Sequence, residues 1–315
     1  MRVLVTGGAG FIGSHLLSAL LARGDEVVCL DNFDAFYPRT TKERNLAEVG
    51  ESPRLRVVEG DVCDCAALEA LVAEQRPQAI IHLAAKAGVR PSIEDPAGHL
   101  QVNAAGTLNV LQVAARNEVG RIVFTSSSSV YGGLTRLPFS EDQETQHPLS
   151  PYAASKMAAE LLCHTYHHLY QLPIVILRLF TVYGPRQRPD LAITKFARLL
   201  QANQPLPLYG DGESSRDYTH VDDIVRGLLA AADADLAYAT LNLGRANPVS
   251  LQELVETLGR AMDRKPLVEY QPVQATDMPH TYADITLAKR LLHWEPRVEL
   301  EEGLRGFVEW LGRVG

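Results

Sequence analysis

Short apolar runs alternate with longer stretches of helical spacing through the first half of the chain. The runs at 2–6, 26–30, 55–59, 79–83, 121–126 and 174–179 are rich in Val, Ile and Leu, the composition of strands covered on both faces of a parallel sheet. Between them, 11–23, 66–75, 100–117 and 151–170 read as helices. The alternation predicts β-α-β units, and so an α/β fold built on a Rossmann-type doubly wound parallel sheet. Helix 151–170 is marked at its start, because Ser150 can cap the free amides and Pro151 suits the first helical position. Between Gly184 and Asp217, Pro, Gly and charged residues thicken and the alternation stops. A smaller C-terminal α/β domain is expected there. The first domain covers 1–183, with 218–248 returning to it, and the second takes 184–217 and 249–315. A chain of 315 residues exceeds the usual single-core size, which fits two domains.

Composition narrows the partners. The formal net charge of −8 argues against attraction to nucleic-acid phosphates or anionic lipid, so an anionic ligand would need local arginines. No run of about 18 apolar residues suggests a membrane span, and the first apolar stretch lacks the regions of a signal peptide. Cys29, Cys63, Cys65 and Cys163 show neither zinc-type nor redox C-x-x-C spacing, so they read as thiols in a reducing cytoplasm. His164, His167 and His168 share a helix face but bring no acidic ligand pattern with them, and no metal is expected.

The first candidate chemistry lies at the end of the first strand. Gly7, Gly10 and Gly13, with Phe11 and Ile12 between the last two, form G-x-x-G-x-x-G in a strand-turn-helix context. Such glycines permit a tight turn and let a pyrophosphate approach the amides of a helix N-terminus. Asp31 ends the second strand 18 residues after Gly13, where a carboxylate can accept from adenosine ribose hydroxyls and repel a 2′-phosphate. NAD is favoured over NADP.

Tyr152 and Lys156 stand four residues apart, on one face of helix 151–170. A phenol is a poor base near neutrality, but a neighbouring cation favours its ionised form. Lys156 and a positive nicotinamide ring supply such a field, which makes Tyr152 a candidate general base for a substrate hydroxyl. Strand 121–126 runs into Ser127, Ser128 and Ser129, and a hydroxyl there can bridge the same substrate oxygen.

With these motifs in order, the chain resembles the extended short-chain dehydrogenase/reductase family, and specifically its nucleotide-sugar 4-epimerases. The likeness runs nearly end to end: T-G-G-A-G-F-I-G at 6–13, Asp31-Asn32, Gly60-Asp61-Val62, His82-Leu83-Ala84-Ala85, Asn103 in N-A-A-G-T, S-S-S-V-Y-G from Ser127, Tyr152 with Lys156, and G-D-G-E-S-S-R-D-Y-T-H-V-D-D at 210–223. The resemblance implies Ser127, Tyr152 and Lys156 as the catalytic group. It implies Asp61 and Val62 beside the adenine, with Asn32, Leu83, Ala84, Ala85, Lys86 and Asn103 along the cofactor path. Lys86 stands where relatives often have Gln.

Related dehydratases and uronate decarboxylases carry carboxylates immediately before V-Y-G, where this chain has Ser128 and Ser129. A serine cannot replace a carboxylate as acid or base at neutral pH, so 4-epimerisation through a transient 4-keto sugar is the expected reaction. Thr181, where galactose-type epimerases usually have Asn, and Arg188-Pro189-Asp190 resemble glucuronate 4-epimerases. Arg188, or else Arg186, is the candidate to hold a sugar carboxylate by a charge-assisted pair. By the same resemblance Arg216 meets the pyrophosphate, Tyr209 lies under the base and Asp277 meets the ribose; Gln274 stands where relatives commonly add a second arginine. The implied substrate is a UDP-sugar, most like UDP-glucuronate, converted to UDP-galacturonate, on an NAD-binding domain with a nucleotide-sugar-binding domain beside it. A homodimer is a family-level expectation. The alternatives are a UDP-glucose or UDP-N-acetylhexosamine 4-epimerase and, from another class, a catalytically idle NAD-sensing protein.

Overall fold

A computed structural model describes residues 1–272 and 278–314 of the chain. The strands, in chain order, are β1 (Arg2–Thr6), β2 (Glu26–Asp31), β3 (Leu55–Glu59), β4 (Ala79–His82), β5 (Arg121–Ser127), β6 (Ile174–Leu179), β7 (Thr181–Tyr183), β8 (Leu206–Tyr209), β9 (Ser215–Arg216), β10 (Tyr218–His220), β11 (Tyr238–Leu243), β12 (Val249–Ser250) and β13 (Val268–Gln271). The helices are α1 (Phe11–Arg23), α2 (Arg39–Val49), α3 (Cys65–Gln75), α4 (Val89–Glu94), α5 (Pro96–Leu100), α6 (Thr107–Arg116), α7 (Pro151–Tyr170), α8 (Ala192–Gln201), α9 (Val221–Asp233), α10 (Leu251–Ala261), α11 (Thr286–Leu292) and α12 (Leu300–Val314).

Seven strands form one parallel sheet in the order β11-β6-β5-β4-β1-β2-β3. Side chains alternate between its faces. Val3 and Val5 of β1 join Leu16, Leu20, Ile224 and Leu228 of α1 and α9, while Leu4 joins Leu68, Leu111 and Cys163 of α3, α6 and α7 on the other side. Helices on both faces explain the nearly unbroken apolar strands. The exception is β3, expected to be covered on both faces. It is the sheet edge, and Val57 is 44% exposed.

Where one helix was expected over 100–117, α5 ends at Leu100, residues Gln101–Gly106 form a π-helix, and α6 begins at Thr107. A π turn carries an extra residue and commonly marks a functional site. Here it directs Asn103 inward, and Gly106 presses close enough that a Cβ would stand 2.9 Å from Val62 Cγ2.

A second core gathers Phe196, Leu208, Leu258 and Phe307 with their neighbours from α8, β8, α10 and α12. Two short pairs, β13-β8 parallel and β12-β9 antiparallel, belong to this part. Not all of 249–315 does, however. Ala283, Ile285, Ala288, Leu292 and Trp294 pack into the core of the large sheet, because α11 lies against β11 and α9. Among the described residues no helix is long and apolar enough to cross a membrane.

Candidate active site

A cleft of about 660 Å³ opens along the carboxyl ends of β1, β2, β4, β5 and β6, the position at which open α/β sheets bind ligands. Its floor starts at the glycine turn. Gly7 has φ +73°, and a Cβ there would stand 2.7 Å from Ala84 N. A Cβ on Gly13 would stand 2.7 Å from Gly8 Cα. The turn thus closes only with bare backbone at these positions. Helix α1 starts at Gly10 with no side-chain cap and no acidic residue in its first turn, whereas Asp64, Ser150 and Ser250 cap α3, α7 and α10. Uncapped amides at the positive end of a 13-residue helix fit a pyrophosphate.

Asp31 is 5% exposed. Its carboxylate accepts from Ala9 N at 3.1 Å, Phe33 N at 2.8 Å and Lys42 Nζ at 3.0 Å. Lys42 is equally buried and lines the same cleft. It went unnoticed in the sequence because a lysine on a polar helix carries no motif. Asp61 accepts from Cys63 N and Asn32 Nδ2 at 2.8 and 3.0 Å. Burial pushes its carboxyl up, but these hydrogen bonds outweigh it and hold the group below the usual range. Leu83, Ala84, Ala85 and Lys86 line the adjoining wall.

Asn103 does not line the cleft but ties that wall to α7. Its Oδ1 accepts from Lys86 N at 2.8 Å, and its Nδ2 donates to Lys86 O and Ser155 Oγ, both at 2.9 Å. Ser155 Oγ in turn donates to Tyr152 O at 2.8 Å. His82 completes the support between Thr6 Oγ1 at 2.6 Å and Thr107 Oγ1 at 3.0 Å. Thr107 Oγ1 donates to Asn103 O, so the imidazole must donate from Nε2 and accept at Nδ1.

Ser127 ends β5 and runs into Ser128 and Ser129, and all three line the cleft with Tyr152, Lys156, Thr181 and Arg188. Burial raises the Tyr152 phenol above its ordinary value, opposed by a hydrogen bond with Ser127 and by the Arg188 guanidinium. Arg188 thus adds a cation near the phenol that was not expected there. Lys156 is 3% exposed and donates to Thr125 O at 2.8 Å. Burial brings its ammonium down to about 8, against the field of Glu160. Arg188 holds Asp190 through Nε at 3.0 Å and Nη2 at 2.9 Å, and lies over the Phe36 ring at 5.5 Å. The cleft thus combines a dinucleotide cradle, a serine-linked phenol and a cation at one end.

The model of a family described as GDP-mannose 4,6 dehydratase matches residues 4–307. The chain belongs to this family of extended short-chain dehydrogenases/reductases. It is 42% identical, over 98% of its length and 95% of the relative's, to a UDP-glucuronate 4-epimerase of Thermodesulfobacterium geofontis. Among solved structures, UDP-glucuronic acid 4-epimerase of Bacillus cereus, in complex with UDP-glucuronic acid and NAD, superposes with a TM-score of 0.94 at 34% identity over the whole of both chains. A UDP-glucose 4-epimerase of Thermotoga maritima, with UDP-glucose, gives 0.91 at 32% identity over 100% and 99% of the two chains.

Within this family fold, other expected site residues lie apart from the cleft. Arg186 turns away from it: its Nε meets Glu48 Oε2 at 3.0 Å, and its Nη1 reaches Ser18 Oγ at 3.5 Å. Tyr209 sits on β8 with Arg90 over its ring at 5.1 Å. Arg216 Nη1 donates to Ser215 O at 2.9 Å and Pro279 O at 3.3 Å. Asp277 and Gln274 fall outside the described residues. Asp217, fully buried, accepts from the amides of Arg245, Ala246 and Ala283 and joins loops of both cores; nothing in its motif had singled it out. Of the three helix histidines, His164 and His167 pack against Tyr238.

Proposed function

We propose that this chain converts UDP-glucuronate to UDP-galacturonate by NAD-dependent epimerisation at C4. The observation that carries the reading is the single cleft in which the glycine cradle, Ser127, Tyr152 and Lys156 share walls with Thr181 and Arg188. Relatives and solved neighbours that bear the name of UDP-glucuronate 4-epimerase, one of the structures holding UDP-glucuronic acid with NAD, support it, as does the likeness to MoeE5, solved with the same two molecules. The bare glycines and the uncapped start of α1 hold the pyrophosphate, and Asp31 with Lys42 holds the adenosine ribose. When bound, NAD supplies the acceptor and donor of the hydride at C4.

Tyr152 takes the proton of the sugar 4-hydroxyl and returns it, while Ser127 orients the same oxygen. Lys156, fixed by Thr125 O, would help to hold the cofactor with its remaining protons. Arg188 carries the sugar carboxylate, with Ser128, Ser129 and Thr181 as neutral hydrogen-bond partners. Arg216 and Tyr209 on the smaller domain, together with Asp277, receive the UDP. The family model takes its description from a dehydratase, but Ser128 and Ser129 place no carboxylate where elimination needs a proton donor. Oxidation at C4 turns the uronate into a β-keto acid that can lose carbon dioxide. Arg188 restrains that loss by holding the carboxylate out of alignment with the keto group.

The runner-up, a UDP-glucose or UDP-N-acetylhexosamine 4-epimerase, draws on the likeness to the Thermotoga protein. Purified protein given UDP-glucuronate, UDP-glucose and UDP-N-acetylglucosamine side by side decides between them by which 4-epimer accumulates. Pairing of two chains belongs to the same reading. It is supported by the outward Leu161, Leu169 and Tyr170 of α7, each more than half exposed, and is tested by the mass of the protein in solution.

A further inference from the structure

The loop between β7 and α8 carries Arg188 on one side and Arg186, two residues earlier, on the other. Arg188 faces the cleft, while Arg186 points back toward helix α2. There it meets Glu48 twice, Nε to Oε2 at 3.0 Å and Nη2 to the backbone O at 3.3 Å. The guanidinium is 11% exposed and the carboxylate 27%. The other carboxylate oxygen, Oε1, accepts from Trp310 Nε1 of α12 at 3.0 Å. One side chain on α2 therefore joins the loop to the C-terminal helix.

The backbone of the loop gives this joint its purpose. Arg186 has φ +60°, a left-handed conformation that a long side chain adopts only when its surroundings hold it there. Next to it, Pro185 O accepts from His15 Nε2 at 2.9 Å, and Gln187 Nε2 reaches back to Val182 O at 3.2 Å. The segment leading into α2 touches the loop a second time, where Phe36 lies under the Arg188 guanidinium. The same stretch of chain contains Asp31 and Lys42, the buried pair at the cofactor end of the cleft. The residues from 31 to 49 thus support both ends of the site.

We propose that Glu48 is a positioning residue for sugar specificity: through Arg186 it fixes the loop so that Arg188 meets the uronate carboxylate and keeps it from aligning with the C4 ketone. The inference rests on the reading of Arg188 given above. When the alignment is lost, the C5–C6 bond of the 4-keto uronate breaks and carbon dioxide leaves. The electron pair enters the enolate of the C4 carbonyl and C5 takes a proton. The product is UDP-4-keto-pentose, with the cofactor left reduced.

The test is the ratio of UDP-4-keto-pentose to UDP-galacturonate made by the NAD-loaded enzyme, which does not depend on the fraction of protein that is active. A part-exposed ion pair contributes about 0.2–1 kcal/mol, so Glu48→Ala should raise that ratio about 1.4- to fivefold and raise KM for UDP-glucuronate more than it lowers kcat. Glu48→Gln, which keeps an acceptor for Trp310 and removes only the charge, should lie between it and the parent. Should Glu48→Ala fold poorly, Glu48→Gln and Arg186→Ala carry the same test. Arg188→Ala is the control. If it leaves both sugars and the product ratio alike, the reading of Arg188 has failed. If it is selective while the Glu48 variants keep the parental ratio, or lose kcat alone, the proposal for Glu48 is overturned.

Discussion

Replacing Arg188 by Ala removes one cation from the cleft and leaves Asp190 without its two-pronged partner. Two consequences separate by substrate. For UDP-glucuronate, loss of a hydrogen bond to a charged group costs about 1.5–3 kcal/mol, equivalent to roughly 10- to 150-fold in kcat/KM, and the freed Asp190 carboxylate adds repulsion. UDP-glucose, with no carboxylate, escapes this part. The second consequence is common to both sugars. Arg188 is one of the two groups holding the Tyr152 phenol down against burial, so its loss raises the phenol further and moves the rise of kcat to higher pH. Steady-state rates on both nucleotide sugars from pH 6 to 10, with carbon dioxide release, measure both. Asp190→Asn should leave the use of UDP-glucuronate intact or improve it. Equal loss on the charged and neutral sugars, with carbon dioxide unchanged, would refute the carboxylate clamp.

Tyr152→Phe should lower kcat by at least about 10²-fold, the range of positioned acid-base groups, with Ser127→Ala also falling mainly in kcat; near-normal turnover removes the phenol from the mechanism. Gly13→Ala should yield folded protein purified with little NAD, since its Cβ would meet the Gly7–Gly8 backbone; parental NAD content in this variant counts against the cradle. Stability should fall as pH drops from about 6.5 to about 4. Burial holds His82 near 3 and His15 near 4, so the unfolded chain takes up these protons while the folded chain does not. In urea midpoints, His15→Gln should flatten that decline by about 1.4 kcal/mol per pH unit; an unchanged slope shows that His15 does not contribute.

The sheet was legible because strands buried on both faces write short, unbroken apolar runs, and β1 and β6, with the edge strand β3, have the bounds that these runs predict. The exposure of β3 was not, since an edge position depends on which strand lacks a neighbour. Helix α2 left little trace: its buried side chains are Lys42 and Asn45, polar groups that follow no apolar stripe. The break of 100–117 into α5, a π turn and α6 was likewise hidden, because its cause is the tertiary fit of Asn103 and Gly106 against Lys86, Ser155 and Val62. At the site, motifs sufficed for residues fixed by local turns, such as Gly7 and Gly13. For Arg186 and Arg188 the resemblance ranked Arg188 first, but the physical reason that the two side chains part, a left-handed backbone at Arg186 itself, leaves no mark in the sequence.

The central claim is that NAD held by this chain epimerises UDP-glucuronate at C4. Protein as purified, with no cofactor added, is incubated with UDP-glucuronate in deuterium oxide and followed by proton NMR. The account predicts UDP-galacturonate with protium retained at C4 and at C5, because the hydride is returned within the site and no carboxylate stands ready to enolise the sugar. Turnover of UDP-glucose with none of UDP-glucuronate, or deuterium entering at C4, would contradict it.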